Sequence, residues 1–252
     1  MDLSCIFFGG RFLRSDGTSR APISARRFKL MTTAMMEKQG SAVHGDEHWA
    51  QTRLTLYQLL SEFIIYKPSV HLTMKWRRKL EHTLWNDGAF LRFRSILAEL
   101  EPSSLRPYCT AQAREYERLI CRRRGSGIPL RESGYVRVEA GLAACRAGAA
   151  YDRAGVTLNR TSGEKDDELS VELEFMAVLA ERMIEGVRSR GERERLARMQ
   201  LEFVQRHLLT WIPSFCEEMR AGTVSPLYLN LCAMLEAVLL FDRAWLSARV
   251  GD

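Results

Sequence analysis

The 252-residue sequence lacks most of the patterns that would assign it a chemistry. Its six cysteines, at positions 5, 109, 121, 145, 216 and 232, include no C-x-x-C and no close pair. That spacing supports neither a zinc site nor a disulfide framework, and it predicts reduced thiols in a cytosol. Histidine is scarce, with five in all, and none stands beside a nucleophile motif. Catalysis would call for a nucleophile with its base, a metal cluster or paired carboxylates in a cleft. The sequence makes no case for any of these, so it reads as a non-enzyme with no cofactor. No apolar run reaches the length of a bilayer span, and the longest, at 233–241, is broken by Glu236. Strand-like alternation of useful length is absent, as is any internal repeat. What remains is an all-α chain whose apolar runs suit buried helices.

The composition is that of an ordinary globular protein, with 46% hydrophobic and 27% charged residues. At this length it can bury a sizeable core. A net charge of +6 by itself suggests an anionic partner. Its distribution argues otherwise. Residues 106–153 hold ten arginines and five acids, whereas residues 154–185 hold three basic residues and eight acids. A basic segment followed by an acidic one is not a uniform nucleic-acid-binding face, so no nucleic acid is expected.

Residues 1–47 show no sustained periodicity and read as a disordered extension, ahead of an all-α domain over 48–252. Within them Ser24-Ala25-Arg26-Arg27-Phe28-Lys29-Leu30 has the look of a twin-arginine signal, but the apolar stretch that must follow is interrupted by Glu37 and Lys38. A start at Met31, Met35 or Met36 accounts for the segment better than an export role. His44 and His48 have a helical chelating spacing, yet no third ligand is evident, and a solvated helix start explains them.

Helical periodicity begins after Glu47. Trp49, Arg53, Leu56, Leu60 and Phe63 share one side of a helix that stops before Pro68. Two amphipathic helices follow, over 69–84 and 90–100, parted by Asn86-Asp87-Gly88. Trp76, Trp85 and Phe93 beside Arg77, Arg78, Arg92 and Arg94 could be a base-stacking set. Aromatics at helical spacing are more often core, and they are assigned there. A further helix is expected over 111–124, running into the basic loop Arg122-Arg123-Arg124-Gly125-Ser126-Gly127, which lacks the pattern of a phosphate-binding loop.

The stretch 164–219 organises the rest. An acidic turn opens into a helix in which Leu169, Leu173, Met176, Ala180, Met183 and Val187 recur at steps of three and four. Asp166 and Asp167 can cap it, and Asp167, Glu168 and Glu172 sit where the helix dipole favours negative charge. These acids are expected to be solvated. A second helix carries Leu196, Met199, Phe203 and His207 on one side and reaches Trp211, with a restart expected at Pro213. His207, on an apolar face, reads as a hydrogen-bonded core histidine. Ser225-Pro226 then opens the final helix, with Tyr228, Leu231, Leu235, Val238 and Leu239 on its apolar side.

Two of these pieces carry a resemblance. Glu172-Leu173-Glu174-Phe175-Met176 matches an E-L-x-F-M helix, and Phe203, His207, Leu208, Trp211, Pro213 and Phe215 match an F-L-x-x-H-L-x-x-W-x-P-x-F segment. In this order they resemble the TorD/DmsD/NarJ family of cytoplasmic chaperones for molybdenum-containing redox enzymes. Further pieces are similar: Glu115-Tyr116-Glu117-Arg118-Leu119-Ile120 to E-Y-T-R-L-F, Pro129, Glu132, Ser133 and Tyr135 to P-x-Y-E-S-V-Y, and Tyr151-Asp152-Arg153-Ala154-Gly155 to Y-x-x-A-G. The resemblance covers roughly residues 54–242.

It implies an all-α single domain of about ten helices, acting in the cytoplasm without membrane insertion, as a monomer or homodimer. The implied partners are the twin-arginine signal peptide and the apoprotein of a molybdopterin oxidoreductase subunit, held before export. The family's leader-contacting positions fall on Tyr116, Leu119, Ile120, Tyr135, Asp167 and Glu168. Two departures stand out, since Glu168 replaces the family histidine of a Pro-x-Asp-His turn and Lys165 its proline. The residues alone leave two other classes open: a helical adaptor without leader specificity, and nucleic-acid binding through Arg122–Arg124. Steep weakening by salt would mark the latter.

If the first 47 residues are an unpacked tail, a chain beginning at Asp46 melts within about a few degrees of the full-length protein. Thermal unfolding followed by circular dichroism checks this, and a large loss of cooperativity would contradict it.

Overall fold

The computed structural model describes residues 45–120, 127–139, 141–157, 165–185 and 189–250, with side chains from His48 onward. All of these belong to one unit, Ala42–Asp252. The segment before it, with His44 and the Arg26-Arg27 pair, lies outside the described residues, as does the Arg122-Arg123-Arg124 loop.

Where the sequence predicts about ten helices, the described chain forms α1 (Gly45–Ile65), α2 (Val70–Glu81), α3 (Gly88–Ala98), α4 (Pro102–Leu119), α5 (Leu142–Arg153), α6 (Leu169–Glu185), α7 (Arg190–Phe203), α8 (Leu209–Gly222) and α9 (Pro226–Val250). A π turn at Val204–Leu208 joins α7 to α8 without a break, so these two make one long rod. Among the described residues there is no strand, only an isolated bridge between Arg131 and Glu168. The fold is an all-α single domain.

Local chemistry explains most of the boundaries. Ser69 caps α2 by accepting from Leu72 N, and Asp87 caps α3 by accepting from Ala89 N and Phe90 N. Two prolines overturn the expected boundaries. Helix α4 starts at Pro102, nine residues before the predicted start, and runs through Pro107. The carbonyl that Pro107 leaves without an N–H partner belongs to Ser103, which is exposed and meets water. Pro213 likewise starts nothing. It lies inside α8, and the carbonyl it strips of a donor is that of Leu209, where the π turn ends.

The core is built around α6 and α9. The longest seam runs between α1 and α6, while α9 packs against α3, α7, α8 and α1. Periodicity predicts one buried face of α6, through Leu169, Leu173, Met176, Ala180, Met183 and Val187. The first four are buried, Met183 is half-buried and Val187 lies outside the described residues, but Val171, Phe175 and Leu179 are buried as well. More than one face is therefore covered: α1 lies along the helix, while Tyr151 of α5 and Phe203 of α7 meet Phe175 at 4.6 and 4.7 Å between ring centroids. Trp76 and Phe93 are fully buried, and Trp85 packs on Trp49 and Phe241, so these aromatics are core. No described helix is long and apolar enough to cross a membrane.

One polar network crosses this core. Asp242 of α9, wholly buried, accepts from Arg53 Nε (2.6 Å) and Nη2 (2.7 Å), Tyr57 OH (2.7 Å) and Trp49 Nε1 (3.1 Å). Arg53 Nη2 also donates to Gln200 Oε1 of α7 at 2.6 Å. Asp242→Asn leaves the Arg53 charge buried without its counter-ion, which costs about 3–5 kcal/mol in urea denaturation. Replacing both partners, as Arg53→Met with Asp242→Leu, is expected to cost less than the single change. A double variant as damaged as the single one would contradict this.

Candidate functional site

After α4 the chain crosses the molecule as an irregular strap, residues 127–139, pinned by three backbone hydrogen bonds. Ile128 N donates to Leu119 O (2.9 Å), Leu169 N to Leu130 O (2.8 Å) and Glu132 N to Asp167 O (2.9 Å). The end of α4 and the start of α6 are thereby tied to one loop. At its centre Glu132–Gly134 forms a 3-10 turn, and Asp167 Oδ2 accepts from Ser133 N at 3.1 Å. Glycine is required at 134, because a Cβ there would lie 2.7 Å from Pro129 Cβ as the strap folds back on itself. This accounts for one departure from the P-x-Y-E-S-V-Y pattern.

The 3-10 turn carries the Glu132 side chain beneath the strap, where it is buried. Its Oε2 lies 2.8 Å from Nδ1 of His207, which sits in the π turn. Glu172, in the first turn of α6, is 0% exposed. Its Oε2 accepts from Trp211 Nε1 at 3.1 Å, while its Oε1 is buried without a hydrogen-bond donor. Burial above all, and then the charge of Glu132, push the Glu172 carboxyl well above its usual range, against the pull of the Trp211 N–H. Glu132, Glu172 and His207 each present one ligand atom within 4.8 Å of the others, a group able to hold a metal ion.

Aromatic rings hold these groups in place. His207 stacks on Phe203, with ring centroids 4.6 Å apart and planes 22° apart. Trp211 stacks on Tyr135 of the strap at 5.4 Å and 24°. The Tyr135 hydroxyl donates to Glu218 Oε2 at 2.8 Å, and burial together with this carboxylate raises its pKa. Outward from the cluster opens a cavity of about 670 Å³ with Glu132 and His207 in its lining. Phe175, Phe203 and Met199 supply apolar wall, and the exposed Arg146, Arg153 and Arg206 supply positive charge. Arg206 is paired with Glu202 at 2.8 Å.

Of the six residues expected to meet a leader, Leu119, Tyr135, Asp167 and Glu168 lie in or are bonded to the strap, and the six fall in two tiers of burial. Tyr116 and Leu119 are core, and the Tyr116 hydroxyl donates to Ile64 O at 2.8 Å. Asp167, 1% exposed, neither caps α6 with its side chain nor stands on the surface, because its carboxylate secures the strap instead. Ile120, Tyr135 and Glu168 are half-buried, and Glu168 bridges the backbone of Arg131. The expectation of a solvated acidic turn is therefore corrected at Asp167 and Glu172, which are buried because Ser133 N and Trp211 Nε1 supply donors from distant segments. His207 agrees with its reading as a hydrogen-bonded core histidine. The convergence of Glu132, Glu172 and His207 was not foreseen, although each lies in a quoted motif. That shared membership was the available signal.

A sequence model of the family described as nitrate reductase delta subunit matches residues 92–217, half of the chain. No curated protein matches it at a significant level. The matched range contains the strap, the three clustered side chains and Trp211. The chain belongs to the nitrate reductase delta subunit family, whose members are maturation chaperones of molybdenum enzymes.

Proposed function

We propose that this protein binds the twin-arginine leader and the apo form of a nitrate-reductase-type molybdoenzyme subunit in the cytoplasm and assists its maturation before export. The observation that carries the reading is the strap. Its backbone bonds to Leu119, Leu169 and Asp167 tie it to the segments that carry the family's leader-contacting positions, within the family-matched range, which supports the reading.

In this reading Ile120, Tyr135 and Glu168 offer surface to the peptide, with Tyr116, Leu119 and Asp167 shaping the ground beneath. The arginines of a leader need exposed carboxylates that accept planar, charge-assisted hydrogen bonds. In this reading the half-buried Glu168 on the α6 side of the strap and the exposed Glu218 on the α8 side supply them. The arginine-lined cavity has the opposite charge. It suits an acidic segment of the apoprotein, which favours a second mode of client binding beside the leader.

Titration calorimetry with a twin-arginine leader peptide tests the proposal. Glu168→Gln with Glu218→Gln is expected to weaken binding by about 1.5–3 kcal/mol while leaving melting nearly unchanged. A twin-lysine peptide keeps the charge, loses the planar fork and should bind less well. Asp167→Asn, by contrast, should lower the melting temperature by loosening the strap. Equal affinity of the wild type and the double variant would remove these carboxylates from recognition. Binding of apoprotein but no leader by the wild type would leave only the adaptor mode.

A further inference from the structure

The geometry points to Glu132, Glu172 and His207 as a binding site for one divalent transition-metal ion of the zinc or manganese class, at the floor of the cavity. This goes beyond client recognition and does not depend on it. The first ground is the composition of the group. One imidazole nitrogen and two carboxylate oxygens, all from buried side chains, lie within 4.8 Å of one another. That is a donor set used by zinc, manganese and ferrous iron, whereas calcium needs six or more oxygens and magnesium a near-octahedral shell.

The second ground is independent of the first. Glu172 Oε1 has no donor although the residue is fully buried, and it faces the Glu132 carboxyl. Two facing carboxylates are acceptors only, so a proton, a donor molecule or a cation must lie between them, and a metal ion meets both at once. Metal ligation takes the carboxylates in their ionised form, and a divalent ion there offsets their charge inside a core that tolerates no net charge.

The surroundings match what metal ligands require. Glu172 Oε2 is steered by Trp211, His207 is held flat against Phe203, and Glu132 rides on a turn secured by Asp167. Bond lengths of about 2.1 Å put tetrahedral ligand atoms roughly 3.4 Å apart, a separation inside the 4.8 Å within which the three ligand atoms already lie. The cavity that Glu132 and His207 share leaves a fourth position open to water or to a client side chain.

The test uses the full chain, stripped with a chelator, desalted and titrated with Zn²⁺ or Co²⁺ alone. One ion per chain is expected, together with a rise in melting temperature. The Co²⁺ spectrum should be that of a nitrogen and oxygen site, without the near-ultraviolet band of thiolate ligation that the exposed Cys145 could produce. Glu172→Gln preserves the shape of the side chain and should lower affinity by about a hundredfold or more, because an inner ligand counts for more than an outer partner. Trp211→Phe keeps a ring but removes the N–H and should lower affinity by about tenfold, providing a second reading if the first variant folds poorly. Failure of the wild type to bind a stoichiometric ion overturns the proposal. So does a folded Glu172→Gln protein that binds as tightly as wild type with the same spectrum.

Discussion

The buried carboxylate of Asp242 is the constraint on which the remaining geometry rests. It accepts from Trp49, Tyr57 and the Nε and Nη2 of Arg53, so α1 and α9 are locked in rotation and register. Arg53 then reaches Gln200 on α7, whose amide donates to Leu196 O and to Met183 of α6. A guanidinium fully removed from water cannot drift from its acceptors without a penalty of several kcal/mol. Because α7 continues through the π turn into α8, fixing Gln200 also sets the direction in which His207 and Trp211 point. Along the α1–α6 seam, Ser61 Oγ donates to Ser170 O, two residues before Glu172. The two sides of the acid–imidazole group are thus positioned by the same core.

The strap completes the arrangement by adding a segment that has no helix of its own. Its backbone donors and acceptors are satisfied by the ends of α4 and α6, the usual need of an irregular segment lying across a core. The same contacts serve two faces. Inward, the strap delivers Glu132 to His207; outward, it presents Tyr135, stacked on Trp211 and bonded to Glu218. A client that pulls on the outer face would therefore act on groups that also touch the buried one.

How much of this was legible depended on whether the information was local. The all-α class, the caps at Ser69 and Asp87 and the apolar face of α6 follow from spacing within one helix, and these were readable. The run of α4 through Pro107 and of α8 through Pro213 was not legible, because a proline breaks a helix only where the lost hydrogen bond cannot be made good. Ser103 is exposed, and the Leu209 carbonyl lies at a widened turn, which the sequence does not reveal. Asp167 and Glu172 misled for a related reason. Acids at a helix start are ordinarily solvated, and here their burial depends on donors 34 and 39 residues away. Motifs alone pick out the six positions expected to meet a leader, and their division into a buried and a half-exposed tier comes from packing. Glu132 stands in a motif, but nothing local distinguishes an acid in a loop from one aimed beneath it.

The central claim is that client leaders engage the surface of the strap. Hydrogen exchange read by mass spectrometry, with and without a saturating twin-arginine leader peptide, tests it most directly. Slower exchange in residues 127–139 and in the first turn of α6, with α2 and α3 unchanged, is the result this account predicts. Protection confined to α2 and α3, or none anywhere while the peptide is bound, would contradict it.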